Sequence, residues 1–342
     1  MTIDRPFVIS IPEPRSLELI FTPGDLATLR RDYRIVEAEG AGAQAVLAEN
    51  LPHADFIIGQ PPLPKSLLDR APKLKAIFNV ETNFMDNMDY GACFARGIHV
   101  LTTGKVFAQP VAEIGLGLAL CLERNICGAD RAFRAGAELW GGDGNTDARL
   151  MSGGAVGLIG FGELGRALHR LLQGFRPVIR VFDPWLPPSL LEEAGVIPAS
   201  LDEVLTSSDV IFVVASVTSD NGGFLGAAEF ARMRRGASFI LLSRAGVVDF
   251  EAMMQAVRSG HIRAASDVYP QEPLALDHPV RSLEGFILSA HRAGALDIAF
   301  KRMGRMVLED MALMARGLPP VACRRAERET VTRMRSKPVT RN

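Results

Sequence analysis

With 342 residues, 48% of them hydrophobic and 23% charged, the chain has enough material for two globular domains and a sizeable core. A formal net charge of −1 argues against a general nucleic-acid or membrane-surface binder. The four cysteines, Cys93, Cys121, Cys127 and Cys323, have neither metal-ligand spacing nor the density of a disulfide framework. They read as buried thiols of a reducing cytoplasm, and no metal is expected.

The N-terminus, MTIDRPFVISIPEP, carries Asp4 early and is interrupted by Pro6, Pro12 and Pro14. It lacks a signal-peptide core, so the chain is expected to be cytoplasmic. Over the first hundred residues, short apolar runs alternate with helical patterns. Strands are predicted at Arg34–Val36, Phe56–Ile58, Ala76–Val80 and His99–Leu101, and helices at Pro23–Tyr33, Pro64–Ala71 and Asp89–Arg96. A long helix is predicted from about Gln109 to Arg124. Its apolar stretch, Ile114 to Leu122, is far short of the ~20 residues that span a bilayer and reads as buried.

The polar segment GGDGNTD, residues 141–147, then leads into a second alternating series. Its strands are predicted at Ala155–Ile159, Ile179–Phe182, Val210–Ala215, Phe239–Leu242, Ala264–Val268 and Phe286–Leu288. A helix is predicted at Ile298–Arg316. Strands alternating with helices imply parallel sheets with helices on both faces, an α/β fold. From Arg324 to Asn342, seven Arg and Lys stand against two Glu, and this segment reads as a frayed, solvated, disordered basic tail.

The sharpest local signal is AVGLIGFGELGRALHRLL. Gly160, Gly162 and Gly165 form G-x-G-x-x-G between the predicted strand Ala155–Ile159 and a helix predicted over Glu163–Leu172. The first glycine permits the tight turn, the second lets a pyrophosphate approach the backbone, and the third allows close helix–strand packing. The intervening Phe161, Glu163 and Leu164 belong to the same turn. Asp183 follows 18 residues after Gly165, at the end of the next predicted strand. A carboxylate there accepts hydrogen bonds from both ribose hydroxyls and repels a 2′-phosphate, which selects NAD over NADP.

Downstream, His291 follows the predicted strand FIL, at the end where open α/β sheets bind ligands. Glu272 lies in DVYPQEP, in the loop after another strand. Such a carboxylate can orient an imidazole and raise its pKa, making it a better proton donor to a carbonyl. Arg244, in LLSRAG, also stands at a strand's end, where a guanidinium can hold a carboxylate bidentately and polarise a neighbouring keto oxygen.

These features together resemble the D-isomer-specific 2-hydroxyacid dehydrogenase family. The resemblance runs from about Ala54 to Pro320 through APKLKAIFN, DNMD, ARGIHVL, QPVAE, GFGELG, SRAGVVD, GHIRAASDVYPQEP and SAHRAG, in the family's order. It implies two Rossmann-like domains. One is a flavodoxin-like substrate domain built from 1–106 plus 295–323, and the other is an inserted, doubly wound NAD-binding domain at 107–294, with 324–342 left as the tail. It also implies a homodimer joined through the cofactor domains. Carried over residue by residue, the substrate-binding arginine falls on Arg244, the orienting glutamate on Glu272, the acid/base histidine on His291 and the nicotinamide-carboxamide ligand on Asp267. The adenine side of the site carries Ser216 where relatives commonly have proline.

The family's glycine-containing substrate loop before DNMD is here NVETNFM, residues 79–85. Either Glu81, Thr82, Asn83 and Phe84 line the substrate, with Phe84 capping an apolar tail and Asn83 and Glu81 meeting hydroxyl groups, or these side chains turn away and only the loop backbone meets the substrate carboxylate, since spacing does not fix side-chain direction in a loop. The first arrangement points to a 2-keto acid larger than glyoxylate. Val80, where relatives acting on phosphoglycerate often carry arginine, argues against that substrate. Glu272, where formate dehydrogenases have glutamine, argues against formate. Arg292 replaces a usually apolar residue after the histidine. The competing class is a non-catalytic NAD-sensing interaction module on the same fold, against which the intact Arg244, Glu272 and His291 argue.

Overall fold

The structure is a computed structural model that describes residues 5–81 and 83–334. The chain divides into two compact units, one holding the chain up to Phe107 and again from Ala295, the other Ala108–Gly294.

The first unit is built on strands β1 (Phe7–Ile11), β2 (Arg34–Glu37), β3 (Phe56–Gly59), β4 (Ala76–Asn79) and β5 (His99–Thr102). They pair in the order β5-β4-β3-β1-β2, all parallel. FVISI, FIIG and AIFN are buried at every position, as expected of parallel strands covered on both faces. One face carries Ile9, Leu47, Ile57, Ile77 and Val100. The other carries Val8, Phe56, Ile58 and Phe78 under the helix Asp297–Ala315, which contributes Ala299, Met303, Val307 and Met311 at helical spacing. This helix and the N-terminal strands belong to one core although almost three hundred residues separate them.

The second unit carries β6 (Ala155–Ile159), β7 (Val178–Phe182), β8 (Ile197–Pro198), β9 (Val210–Val213), β10 (Ser238–Leu241), β11 (Arg263–Ser266) and β12 (Phe286–Leu288). Their order is β12-β11-β10-β9-β6-β7-β8, again all parallel. From β6 the chain winds first toward β8 and then, from β9, the other way. This reversal opens a crevice at the carboxyl ends of β6 and β9, where doubly wound sheets bind ligands. The segment Gly104–Glu123 is long and apolar enough to cross a membrane by length and composition alone. Its helical part, Ala108–Glu123, packs along the helix Glu163–Leu172 and against β10 and β11, so it serves as a core helix of this unit.

The structure departs from the sequence reading at both ends of the chain. FVISI, read only for its lack of a leader, is an interior strand, with Pro12 and Pro14 just outside it. The basic segment after Cys323, expected to be disordered, is ordered through residue 334. Arg324–Arg325 form β13, antiparallel to β5 at the sheet edge. Val331 is 1% exposed and Ala326 is buried in the same apolar cluster as Phe84, Met88 and Tyr90. The buried Asp310 carboxylate anchors the approach by accepting the N–H groups of Val321, Ala322 and Cys323 at 2.7–2.8 Å. Pattern reading missed the segment because two paired residues and one apolar anchor among arginines carry no periodicity.

Val331→Ala should therefore cost about 1–3 kcal/mol in urea unfolding. The exposed neighbour Thr332→Ala should be near neutral; a frayed tail would leave both variants at parental stability.

Candidate active site

The glycine turn follows β6 directly. Gly160 has φ +98°, and a Cβ there would fall 2.8 Å from the Ala215 backbone. A Cβ on Gly165 would fall 2.6 Å from the Gly160 carbonyl oxygen, so the helix Glu163–Leu172 starts tight against the turn. Above Gly162 the space where a Cβ would stand is open, at the amino end of a ten-residue helix whose first N–H groups have no intrahelical acceptor. That is the cradle a pyrophosphate requires. Phe161 is fully buried under the turn, while Glu163 and Leu164 begin the helix.

Asp183, at the end of β7, accepts the Phe161 N–H at 2.7 Å and the Trp185 N–H at 2.9 Å. Its carboxylate is thereby held at the rim of the same turn, where a ribose would follow the pyrophosphate. Ser216 lies in the loop after β9, exposed, with its carbonyl accepting from Asn221 at 2.8 Å. These residues fit a dinucleotide. Among the described residues no cluster of His, Cys, Asp and Glu suits a metal.

Arg244, Glu272 and His291 come together from three loops after β10, β11 and β12. His291 Nδ1 lies 2.6 Å from Glu272 Oε2, and Glu272 Oε1 accepts the Tyr269 N–H at 2.8 Å. With both carboxylate oxygens engaged, Glu272 fixes the imidazole's orientation and leaves Nε2 as the free ring nitrogen. Arg244 donates to its neighbour, the Ser243 carbonyl, at 2.7 Å. Loss of water around its guanidinium pulls its pKa below the usual arginine value, and the Glu272 charge pushes it back.

Asp267 has a use in this structure that the sequence did not suggest. It is 2% exposed. Oδ1 accepts from Ser289 Oγ at 2.5 Å and from the Arg292 N–H at 3.1 Å, and Oδ2 accepts from the Ala293 N–H at 3.1 Å. Its backbone carbonyl accepts the His291 N–H at 2.7 Å. One buried aspartate thus staples the whole loop 289–293 and holds His291 at φ +48°, a conformation a non-glycine residue rarely adopts unaided.

In the first unit, the loop after β4 is held by three residues the sequence did not single out. Gln60 Oε1 accepts the N–H groups of Val80 and Glu81 at 3.1 and 3.2 Å. Asn79 accepts the Glu81 N–H at 3.0 Å and donates to the Asn83 carbonyl. Arg15 donates to the Val80 carbonyl at 2.7 Å, lies 3.6 Å from Glu81 Oε1 and stacks 4.9 Å from the Phe300 ring centroid. Glu81 is therefore an ion-pair partner within its own unit. Phe84, expected to cap a substrate tail, is 4% exposed in the core, with the Arg324 guanidinium 5.8 Å from its ring centroid. That ring is used for packing. Asn83 is half-buried, and Thr82 lies outside the described residues.

Residues 116–293 match the model of the "D-isomer specific 2-hydroxyacid dehydrogenase, NAD binding domain". The chain belongs to the D-isomer specific 2-hydroxyacid dehydrogenase family. Among solved structures it is similar to a phosphoglycerate oxidoreductase from Rhizobium etli. The two are 65% identical with a TM-score of 0.89, over 95% of this chain and 100% of that one. It is 31% identical to a glyoxylate reductase from Thermofilum pendens over 74% of this chain and 76% of the relative. It is 29% identical to a D-3-phosphoglycerate dehydrogenase from Archaeoglobus fulgidus over 85% of this chain and 55% of the relative. The chain spans about half the length of that last relative. The protein is thus an oxidoreductase with the family's NAD-binding domain.

Asp267→Asn would turn an amide donor toward the N–H of Arg292 or Ala293. Its kcat should fall by about 10²-fold or more, as for loss of a general acid, with little change in NADH affinity by fluorescence titration. A weakened NADH affinity with kcat preserved would instead mark Asp267 as a cofactor ligand.

Proposed function

We propose that this protein interconverts a 2-keto acid and its D-2-hydroxy acid with NAD(H), using Arg244 as carboxylate clamp, His291 as acid/base and Glu272 as the group that orients it. The observation that carries the reading is the 2.6 Å His291–Glu272 pair beside Arg244, on loops that follow three neighbouring strands. A cofactor-sensing module has no physical need for an oriented imidazole whose partner carboxylate also acts electrostatically on a desolvated guanidinium.

In the reductive direction, Arg244 binds the substrate carboxylate through two parallel N–H donors, which fixes the keto oxygen toward His291. A nicotinamide, when bound, would supply the hydride. His291 gives its Nε2 proton to the carbonyl oxygen as negative charge develops there. Glu272 holds Nδ1 and neutralises the imidazolium. In the oxidative direction the neutral imidazole takes the hydroxyl proton back. Asp183 sets the cofactor preference, since its carboxylate accepts ribose hydroxyls and repels a 2′-phosphate.

Glyoxylate and phosphoglycerate name the reactions of relatives, and this chain's own substrate is proposed only as a small 2-keto acid larger than glyoxylate. Half-buried Asn83 is the member of the 81–84 loop best suited to meet a substrate hydroxyl, because Glu81 is paired and Phe84 is packed.

The partner is proposed to be a second copy of the chain. Between residues 126 and 150 the NAD-binding unit exposes Ile126, Phe133, Leu139, Trp140 and Leu150, from 50% to 74% exposed, with Phe133 and Trp140 packed edge to face at 6.2 Å. An apolar patch of this kind marks an association surface.

A panel of 2-keto acids should show NADH oxidation, with NADPH the poorer cofactor. His291→Ala should lose about 10²–10⁴-fold in kcat while still binding NADH. No turnover with any keto acid, or turnover unchanged in His291→Ala, would sink the assignment. For the assembly, Trp140→Asp should shift the sedimentation of a dimer to that of a monomer, and a parental monomer at micromolar concentration would refute the pairing.

A further inference from the structure

We infer that residues 324–331 clamp the loop after β4, and that Arg324 is a positioning residue for the substrate. The inference deepens the proposed dehydrogenase reading and rests on it, since in that reading Asn83 of this loop meets the keto acid.

All of the contacts involved lie within the first unit. The loop is held from two directions. At its start, Gln60 and Asn79 accept the Glu81 N–H, and Asn79 donates to the Asn83 carbonyl. Beyond Asn83 the hold comes from elsewhere. Phe84 and Met85 are buried, and the Tyr90 hydroxyl donates to the Met85 carbonyl at 2.8 Å. Phe84 and Tyr90 share one apolar cluster with Ala326 and Val331. The Arg324 guanidinium lies 5.8 Å from the Phe84 ring centroid, within reach of a cation–π attraction. Asn83 therefore stands between two anchored points. Its own carbonyl is tied to Asn79, and the ring of the next residue is enclosed by the segment that follows Cys323.

That segment is itself pinned at both ends. In the antiparallel β13–β5 pairing, Arg324 lies opposite Thr102 and Arg325 opposite Leu101, and the Ala326 N–H donates to the Val100 carbonyl at 2.8 Å. Val331 closes the other end in the core. Thr102 is also the β5 residue in register with Asn79 on β4. The clamp and the loop's first anchor are thus set against the same residue of one strand. The β13 pairing is made by backbone groups, so replacing the Arg324 side chain leaves it intact and removes only the hold on the Phe84 ring. A ring free to shift carries the Asn83 backbone with it, and small misplacements of a binding group weaken binding.

The test reads amide exchange and steady-state kinetics in the parent, Arg324→Ala, Arg324→Lys and Phe84→Leu. Arg324→Ala should raise the KM for 2-keto acids about two- to fivefold, the factor carried by one exposed cation–π contact. Its kcat should stay parental, as for lost uniform binding. NADH affinity should also stay parental, because the glycine turn and Asp183 belong to the other unit. Amides of residues 80–85 should exchange faster by a similar factor, and those of Ala155–Ile159 at the parental rate. Arg324→Lys keeps a cation for the ring and should restore both readouts. Phe84→Leu should reproduce the alanine phenotype, and adding Arg324→Ala to it should change nothing further. Parental exchange in Arg324→Ala overturns the clamp, whatever the variant's stability. Keto-acid and NADH affinities that fall together also overturn it, because they mark a general loosening. Faster exchange with a parental KM overturns the positioning role. If the parent reduces no keto acid, the dehydrogenase reading and the positioning role fall together, and the exchange rates still decide the clamp.

Discussion

The buried carboxylate of Asp267 is the interaction on which the geometry of the His291 loop depends. A charge removed from water is costly unless donors surround it, and here every donor comes from the loop that carries His291. The cost of leaving any of them unmade ties the loop to β11. It also keeps the histidine in a left-handed conformation that its own backbone disfavours. Glu272 then needs only to set the ring's rotation, which it does from the neighbouring loop with one oxygen, while its other oxygen rests on Tyr269. Position and orientation of the His291 imidazole are thus fixed by two separate carboxylates.

Much of this was legible in the chain because parallel strands covered on both faces are short apolar runs. The strands Ala155–Ile159 and Phe286–Leu288 and the helix Glu163–Leu172 occur at the positions read from pattern. The glycine turn was legible because each glycine has a separate steric duty, and Gly160 and Gly165 are both too crowded to carry a side chain. Arg244, Glu272 and His291 were singled out by their places at strand ends and by the family resemblance, and the structure pairs Glu272 with His291.

What stayed hidden has physical reasons. Gln60, Asn79 and Arg15 shape the loop after β4 through hydrogen bonds to backbone atoms of residues 80, 81 and 83, and such bonds leave no spacing to read. The direction of a loop side chain is equally invisible, so Phe84 was read toward the substrate although its ring lies in the core. The helix Leu201–Ser207 did carry a signal that went unread. Ser200 and Glu203 form a reciprocal capping box, whose S-x-x-E spacing stands openly in the sequence.

The two-residue strand β13 has a further consequence for how the protein survives in a crowded cell. Without it, β5 would end the sheet with a row of unpaired backbone groups, a template onto which another extended chain can add. The segment after Cys323 covers that edge with its own arginines and anchors itself through Val331. A chain still emerging from the ribosome, or clipped between Cys323 and Val331, would leave this edge bare. Guarding this edge therefore falls to residues 324–331, far along the chain from the strands they protect.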